Sequence, residues 1–189
     1  TMEIYEARRL NLIDSHPIHA SPCRSWAILG QPMKFTPDGA QLVYGSDDGV
    51  LHLLDIATGN EERILAHGVT VMEEFSWGSE PESRNIIGLA IAPDGSRVAT
   101  TGVDGMLRVH SLPGLELMSE TPATPHVVNL QTYATPYPAA PVAWAPDSRT
   151  LAYSDGGEVV ITQGTEELRL PMPEFDNFDE NFPRNRAAL

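Results

Sequence analysis

The chain has 189 residues, of which 41% are hydrophobic and 20% charged, and this balance indicates a folded domain with a substantial core. The formal net charge of −14 and the scatter of only 12 Lys and Arg residues argue against a nucleic-acid surface. No apolar stretch reaches the roughly 20 residues of a membrane-spanning helix, and the N-terminus lacks a signal-peptide core. We therefore expect neither nucleic-acid binding nor membrane insertion.

The opening residues predict two strands. Met2 to Glu6 and Leu10 to Ile13 are short runs that match only the second half of the unit that follows. The chain is therefore expected to start in the middle of a repeat, with a half unit at residues 2–15.

The first whole unit, at about residues 31–67, predicts four short antiparallel strands. Pro37-Asp38-Gly39 supplies the first turn, and the Asp48-Gly49 pair is a strong signal for a second, hairpin turn. Short runs rich in apolar residues flank these turns at 33–35, 41–44, 50–56 and 63–65. Such a series of runs and tight turns is typical of one antiparallel sheet.

The same order of features recurs twice, at about residues 86–121 and 140–172. Pro93-Asp94-Gly95 and Pro146-Asp147-Ser148 repeat the first turn at spacings of 94 − 38 = 56 and 147 − 94 = 53 residues. Asp104-Gly105 and Gly156-Gly157 repeat the second turn. A fixed period of this kind indicates stacked supersecondary units.

These turns and spacings resemble the WD-repeat β-propeller family, with Tol-type propeller repeats as a near neighbour. The resemblance covers roughly residues 2 to 172 and implies an all-β fold, in which each unit is a four-stranded propeller blade. Closed propellers need about four to eight blades. Three and a half blades therefore imply that the chain is part of a larger ring whose earlier blades lie outside it, or that two copies complete a ring.

The family's buried hydrogen-bond network joins a histidine, the Asp of the second turn, a hydroxyl and a Trp. The resemblance assigns structural roles to His67 and to the turn residues Asp38, Asp48, Asp94, Asp104 and Asp147. In the second whole blade the Trp position is occupied by His110.

Long connections between units are the candidate partner-binding segments. The insertion from Met72 to Asn85 places Phe75 and Trp77 beside Glu73 and Glu74, and aromatic side chains are favoured anchors at interfaces. The alternative is that both rings cover the blade locally. Two further segments offer candidate contacts: the proline-rich insertion from Thr121 to Pro141 carries Tyr133 and Tyr137, and the acidic tail at 174–189 carries Phe178 and Phe182. We expect this tail to be flexible.

Few residues in the sequence indicate a metal-binding or catalytic site. His16, His19 and Cys23 are zinc-ligand types, but a fourth ligand is lacking, and no nucleophile elbow or phosphate-binding glycine loop occurs. We therefore expect no metal, no cofactor and no enzymatic activity. The single cysteine favours a reducing compartment, which suggests a cytoplasmic location.

Together these features predict a non-catalytic scaffold that binds a protein partner through propeller rim loops. The prediction includes partners that belong to a larger complex. Two alternatives stay open: the accessory propeller of a larger enzyme such as a hydrolase, and a propeller that binds a metal or small ligand.

Overall fold

The computed structural model describes residues 2–5, 12–16, 32–46, 48–68, 70–71, 82–83, 86–124, 126–128 and 137–172. Every regular element in these ranges is a β-strand. Side chains are described for 32–46, 48–68, 86–124 and 140–172. Within these ranges no helix is long and apolar enough to cross a membrane.

Twelve strands form three four-stranded antiparallel sheets, in each of which the strands follow chain order. Blade 1 comprises β3 (Met33–Phe35), β4 (Gln41–Gly45), β5 (Val50–Asp55) and β6 (Glu61–Leu65). Blade 2 comprises β9 (Ile86–Ile91), β10 (Arg97–Gly102), β11 (Met106–Ser111) and β12 (Leu117–Pro122). Blade 3 comprises β15 (Val142–Trp144), β16 (Thr150–Asp155), β17 (Glu158–Gln163) and β18 (Glu166–Pro171). These blades confirm the predicted all-β propeller architecture of a partial ring.

Three two-stranded ladders accompany the blades. The first pairs β1 (Met2–Tyr5) with β2 (Leu12–His16), the two strands expected of the half unit. The others pair β7 (Thr70–Val71) with β8 (Glu82–Ser83), and β13 (His126–Val128) with β14 (Tyr137–Ala139). Strands β8, β13 and β14 lie inside the insertions and β7 lies immediately before the first one, and the sequence did not predict these strands.

Alternation along the strands gives blade 2 two buried faces. In blade 1, one face of β4 and β5 packs on blade 2 through the cluster Val43, Leu51, Leu53, Ile86, Leu89 and Val98. The opposite face of blade 2 packs on blade 3 through Ala99, Leu107, Val109, Leu151, Tyr153 and Val160. Because strand side chains alternate with period two, β10 supplies Val98 to one interface and Ala99 to the next.

The first turns of the three blades share one conformation, although one blade has a serine where the other two have a glycine. Gly39 and Gly95 have φ values of 71° and 73°, the left-handed region that favours glycine. In blade 3 the same position is held by Ser148, with φ of 56°. Its hydroxyl accepts a hydrogen bond from the Asp94 backbone N–H at 2.9 Å, which ties the first turns of blades 2 and 3 together.

A close approach joins blades 1 and 2 at Gly45, the last residue of β4. A β-carbon built at Gly45 would lie 2.7 Å from the β-carbon of Ile86 and 2.8 Å from its Cγ2 atom. The absence of a side chain at this position is therefore required for the two sheets to meet.

We predict that Gly45→Ala destabilises the fold by about 2 kcal/mol, because overpacking forces the two sheets apart. The measurement is chemical unfolding followed by circular dichroism. Gly157→Ala is the matched control, since a β-carbon there meets no atom within 4 Å. Equal midpoints for the parent and Gly45→Ala would contradict this packing.

Candidate functional site

A buried polar network joins the connection after blade 1 to blade 2. His67 lies just beyond β6, and its Nδ1 is 2.9 Å from Oδ1 of Asp104, in the second turn of blade 2. Its Nε2 is 3.0 Å from Oγ1 of Thr100 on β10. The other carboxylate oxygen of Asp104 accepts hydrogen bonds from the Gly68 N–H at 3.1 Å and from Arg108 at 2.6 Å. Both ring nitrogens of His67 are therefore occupied.

The pKa shifts follow from this geometry. Burial lowers the pKa of His67 below its usual value, although the bond to Asp104 acts in the opposite direction. Burial alone would raise the pKa of Asp104, but the hydrogen bonds from His67 and Arg108 outweigh it and hold that pKa below the usual range. A neutral imidazole that donates from Nδ1 to Asp104 and accepts at Nε2 from Thr100 fits the contacts with these two residues.

His110 occupies the position at which the family places its Trp, and it takes no part in the network. Its side chain is 2% exposed, and its Nδ1 has no hydrogen-bond partner. Burial, with further contributions from the neighbouring His67 and Arg108, lowers the pKa of His110 to about 4. Arg108 takes the remaining place in the network instead, and its Nε lies 2.7 Å from Oε2 of Glu120.

Blade 1 contains a different network, on the face turned away from blade 2. His52 stacks on Tyr44 with ring centroids 4.4 Å apart. Its Nδ1 is 3.0 Å from Oε1 of Glu61, which also accepts the Tyr44 hydroxyl proton, and its Nε2 is 3.2 Å from Oγ of Ser46. Burial lowers the pKa of His52, against the opposing effect of Glu61.

The contacts of Ser46, His52 and Glu61 have the order found in a nucleophile–base–acid triad, but they do not form a reactive site. The Ser46 hydroxyl donates to the Asp48 carboxylate and is 3.0 Å from the Val50 carbonyl. Both Ser46 and His52 are almost completely buried. An attacking oxygen needs a free proton path to its base and an open approach for substrate, and neither exists here.

The three carboxylates of the first turns act as local caps. Asp38 accepts hydrogen bonds from Thr36 and Ala40, and Asp94 from Ser96. Asp147 accepts from the backbone N–H groups of Arg149 and Thr150, and these bonds lower its pKa to about 2. Such bonds stabilise the turns and leave the carboxylates in solvent.

The second turns and the connections between blades lie together on one rim. The N–H groups of Ala66 and His67 donate to the Gly49 carbonyl at 2.9 and 3.0 Å, beside the second turn of blade 1. In blade 2 the Ala123 N–H donates to the Gly105 carbonyl at 2.7 Å. The β7–β8 and β13–β14 ladders follow these contacts in the chain, so both insertions start from equivalent points on the same rim.

The predicted partner-binding residues fall outside what the structure describes in full. Two loop segments, 72–81 and 129–136, and the tail are outside the described residues. They contain the predicted contacts Glu73, Glu74, Phe75, Trp77, Tyr133, Phe178 and Phe182. For Tyr137 only the backbone, in β14, is described. Their partner-binding role stays a prediction.

Sequence reasoning missed Thr100, Arg108 and the Tyr44–His52–Glu61 group. Thr100 lies six residues after Asp94, and the register Thr100↔Arg108 places both side chains on one face. That spacing could have identified the hydroxyl of the network. Among the residues with described side chains, no group of three or more His, Cys, Asp or Glu has the arrangement of a metal site.

We predict that Asp104→Asn lowers the free energy of unfolding by about 2–4 kcal/mol, since it leaves buried donors of His67 and Arg108 without a charged acceptor. Equilibrium urea unfolding measures this change. Asp94→Asn is the control, because its carboxylate caps an exposed turn. If the free energy of unfolding fell equally little in both variants, the network between the blades would not contribute to stability.

We predict that His110→Leu reduces the acid sensitivity of the fold. Because the pKa of His110 drops from 6.5 to about 4 on folding, the unfolded chain gains the proton first as pH falls, and stability is lost from about pH 6.5 down to pH 4. At pH 5 this amounts to about 2 kcal/mol. Leucine already occupies the equivalent position of blade 1, as Leu54. Unfolding of both proteins at pH 7.5 and pH 5 gives the difference, and identical pH profiles would refute it.

Several solved structures share this fold. The β-propeller domain of Cps50 (Swd1) from Myceliophteria thermophila matches with a TM-score of 0.52 and 16% identity, over 77% of this chain and 39% of that one. The RRP9 WD40 repeats match with a TM-score of 0.51 and 13% identity, over 76% and 38%. The dihydro-heme d1 dehydrogenase NirN in complex with DHE matches with a TM-score of 0.57 and 21% identity, over 90% and 32%. This chain thus spans between about a third and two fifths of the length of these structures.

No curated protein sequence matches the chain. The family model for WD domain, G-beta repeat, matches residues 78–111, which contain β9, β10 and β11 of blade 2 with Thr100, Asp104 and Arg108. Blades 1 and 3 repeat the same four-stranded arrangement on either side. The chain therefore has a β-propeller fold in the part that the structure describes, and residues 78–111 match the model of the WD-repeat family.

Proposed function

We propose that this chain is a non-catalytic protein-interaction scaffold that binds a protein partner through loops on one rim of its blades. The observation that carries the proposal is the pair of rim insertions, each beginning and ending in a short paired ladder. Thr70 pairs with Ser83 and Val71 with Glu82 around residues 72–81, and Val128 pairs with Tyr137 around 129–136. Such a ladder fixes the two ends of a loop, and binding residues lie disproportionately on loops held by a rigid scaffold.

The polar chemistry of the blades supports a scaffold over an enzyme. His67, Asp104 and Thr100 bond one another, and the Ser46 hydroxyl donates to Asp48. These groups stabilise turns and blade contacts, and their burial keeps substrate away. Reactive groups would instead need to line an open site.

The loop composition suggests how a partner is held. Trp77 and Phe75 supply the aromatic area that dominates binding energy at interfaces, and Glu73 and Glu74 lie beside them in sequence. A net charge of −14 favours a partner with a basic surface, because complementary charge speeds encounter. Tyr133, Tyr137, Phe178 and Phe182 are further candidate contacts.

A second function is favoured by the NirN match, which covers 90% of this chain. In that reading the blades are the accessory propeller of a larger enzyme. A catalytic domain encoded in the same reading frame would decide for it.

We predict that Phe75→Ala combined with Trp77→Ala lowers partner recovery in an affinity pull-down by at least about tenfold, since one hot-spot side chain contributes 2 kcal/mol or more. Quantitative mass spectrometry of the captured proteins is the measurement. Phe35→Ala is the matched control, because Phe35 is an exposed phenylalanine on β3 and is not part of the insertion. Full recovery of every partner by the double variant would remove this loop from the interface.

A further inference from the structure

The first turns of blades 1 and 2 border a groove on the rim opposite to the insertions. We call it the turn groove, and its volume is about 240 Å³. Small-molecule sites usually enclose about 300–1,000 Å³, so a groove of this size suits a single side chain of a partner. The lining residues that matter here are Pro37, Asp38, Gln41, Asp94, Gly95 and Pro113.

The equivalent groove between blades 2 and 3 is filled by an arginine of the chain itself. The guanidinium group of Arg97 donates a hydrogen bond to the Ser148 carbonyl, and its Cζ atom lies 4.7 Å from the centre of the Trp144 ring. Hydrogen bonds from Ser96 lower the pKa of Asp94, and the nearby charge of Arg97 lowers it further. A groove between two first turns of this chain therefore holds a guanidinium group.

The turn groove lacks that arginine. Gln41 begins β4 three residues after Asp38, as Arg97 begins β10 three residues after Asp94. Both side chains point toward the following blade, since the residues two further along, Val43 and Ala99, pack on it.

A second filling side chain is missing as well. Gly95 stands where blade 3 has Ser148, the residue whose carbonyl accepts the hydrogen bond from Arg97. The turn groove thus has a shorter, uncharged side chain on one wall and no side chain on the facing turn.

Two carboxylates of the turn groove have acceptor oxygens to spare. Oδ1 of Asp38 accepts hydrogen bonds from Thr36 and Ala40, and Oδ1 of Asp94 accepts from Ser96. Among the described residues, neither Oδ2 accepts a hydrogen bond from another residue. The bond from Thr36 lowers the pKa of Asp38 as the bonds from Ser96 lower that of Asp94, so both groups are anionic at neutral pH.

We propose that the turn groove binds the guanidinium group of an arginine side chain presented by a protein partner. The acceptors are the carboxylates of Asp38 and Asp94 and the Gly95 carbonyl. A guanidinium group has five N–H donors in one plane, so it can reach several oxygens at once, and Pro37 and Pro113 offer apolar contact to the aliphatic stem. This site lies on the rim opposite to the insertions and does not depend on the proposed function.

A nuclear magnetic resonance titration of the ¹⁵N-labelled 189-residue chain with the peptide acetyl-Gly-Arg-Gly-amide tests this proposal. At low ionic strength we expect saturable shifts of the Gly39, Gln41 and Gly95 amide signals, with a dissociation constant on the order of 1 mM, because exposed ion pairs are weak. The same peptide with lysine should bind at least about fivefold more weakly, since an ammonium group lacks the planar fork. The peptide with citrulline, which has the same shape without the charge, should give no saturable shift.

Two variants test the location of the site. Gln41→Arg places the chain's own guanidinium group in the turn groove, as Arg97 does in the next one, and should weaken binding of the arginine peptide at least about tenfold by competition. Asn60→Arg is the matched control. It adds the same charge at an exposed residue of the turn between β5 and β6 that does not line the groove, and it should bind like the parent.

Asp38→Asn tests the charge without filling the groove and should weaken binding about threefold. Its control is Asp147→Asn, which changes the equivalent carboxylate of blade 3. Circular dichroism establishes that each variant is folded. A folded parent without saturable shifts at the three signals, equal binding of the lysine or citrulline peptide, or equal weakening in a variant and its control would overturn the proposal.

Discussion

The packing of each four-stranded sheet on the next is the constraint on which the rest of this structure depends. A single sheet of this size cannot bury its own faces. The second strand of each blade carries apolar side chains on both of its faces, so these side chains need a neighbouring sheet to cover them. Val98 packs toward blade 1 and Ala99 toward blade 3, and both are completely buried. Loss of one interface would therefore expose one side of an entire sheet.

The buried polar groups differ from blade to blade. Blade 2 uses His67, Asp104 and Thr100, with Arg108 where the family's Trp would otherwise complete the set. Blade 1 uses His52 with Tyr44 and Glu61 on the face away from blade 2. The blades share a backbone plan and differ in which side chains satisfy their buried polar atoms. The network at His67 links the connection after blade 1 to blade 2, whereas the group at His52 links three strands within blade 1.

Much of this architecture could be predicted from local sequence. The Pro-Asp-Gly and Asp-Gly turns specify hairpins by short-range chemistry, so the repeat of four strands follows from residues close in the chain. The choice of His67 and Asp104 as structural residues rested on the family resemblance. The Tyr44–His52–Glu61 group could not be predicted, because its members meet only through the register of three strands. The β7–β8 and β13–β14 ladders were missed because their strands are two or three residues long, too short for a periodic pattern.

The central claim is that blades 1 and 2 meet at Gly45 and Ile86, which are 41 residues apart in sequence. A nuclear Overhauser spectrum of methyl-labelled protein tests this directly. The account predicts cross-peaks between the Gly45 α protons and the Ile86 methyl groups, as strong as those between paired strands within blade 1. Strong cross-peaks within each blade, with none between Gly45 and Ile86, would show that the sheets form without packing on each other and would contradict the account.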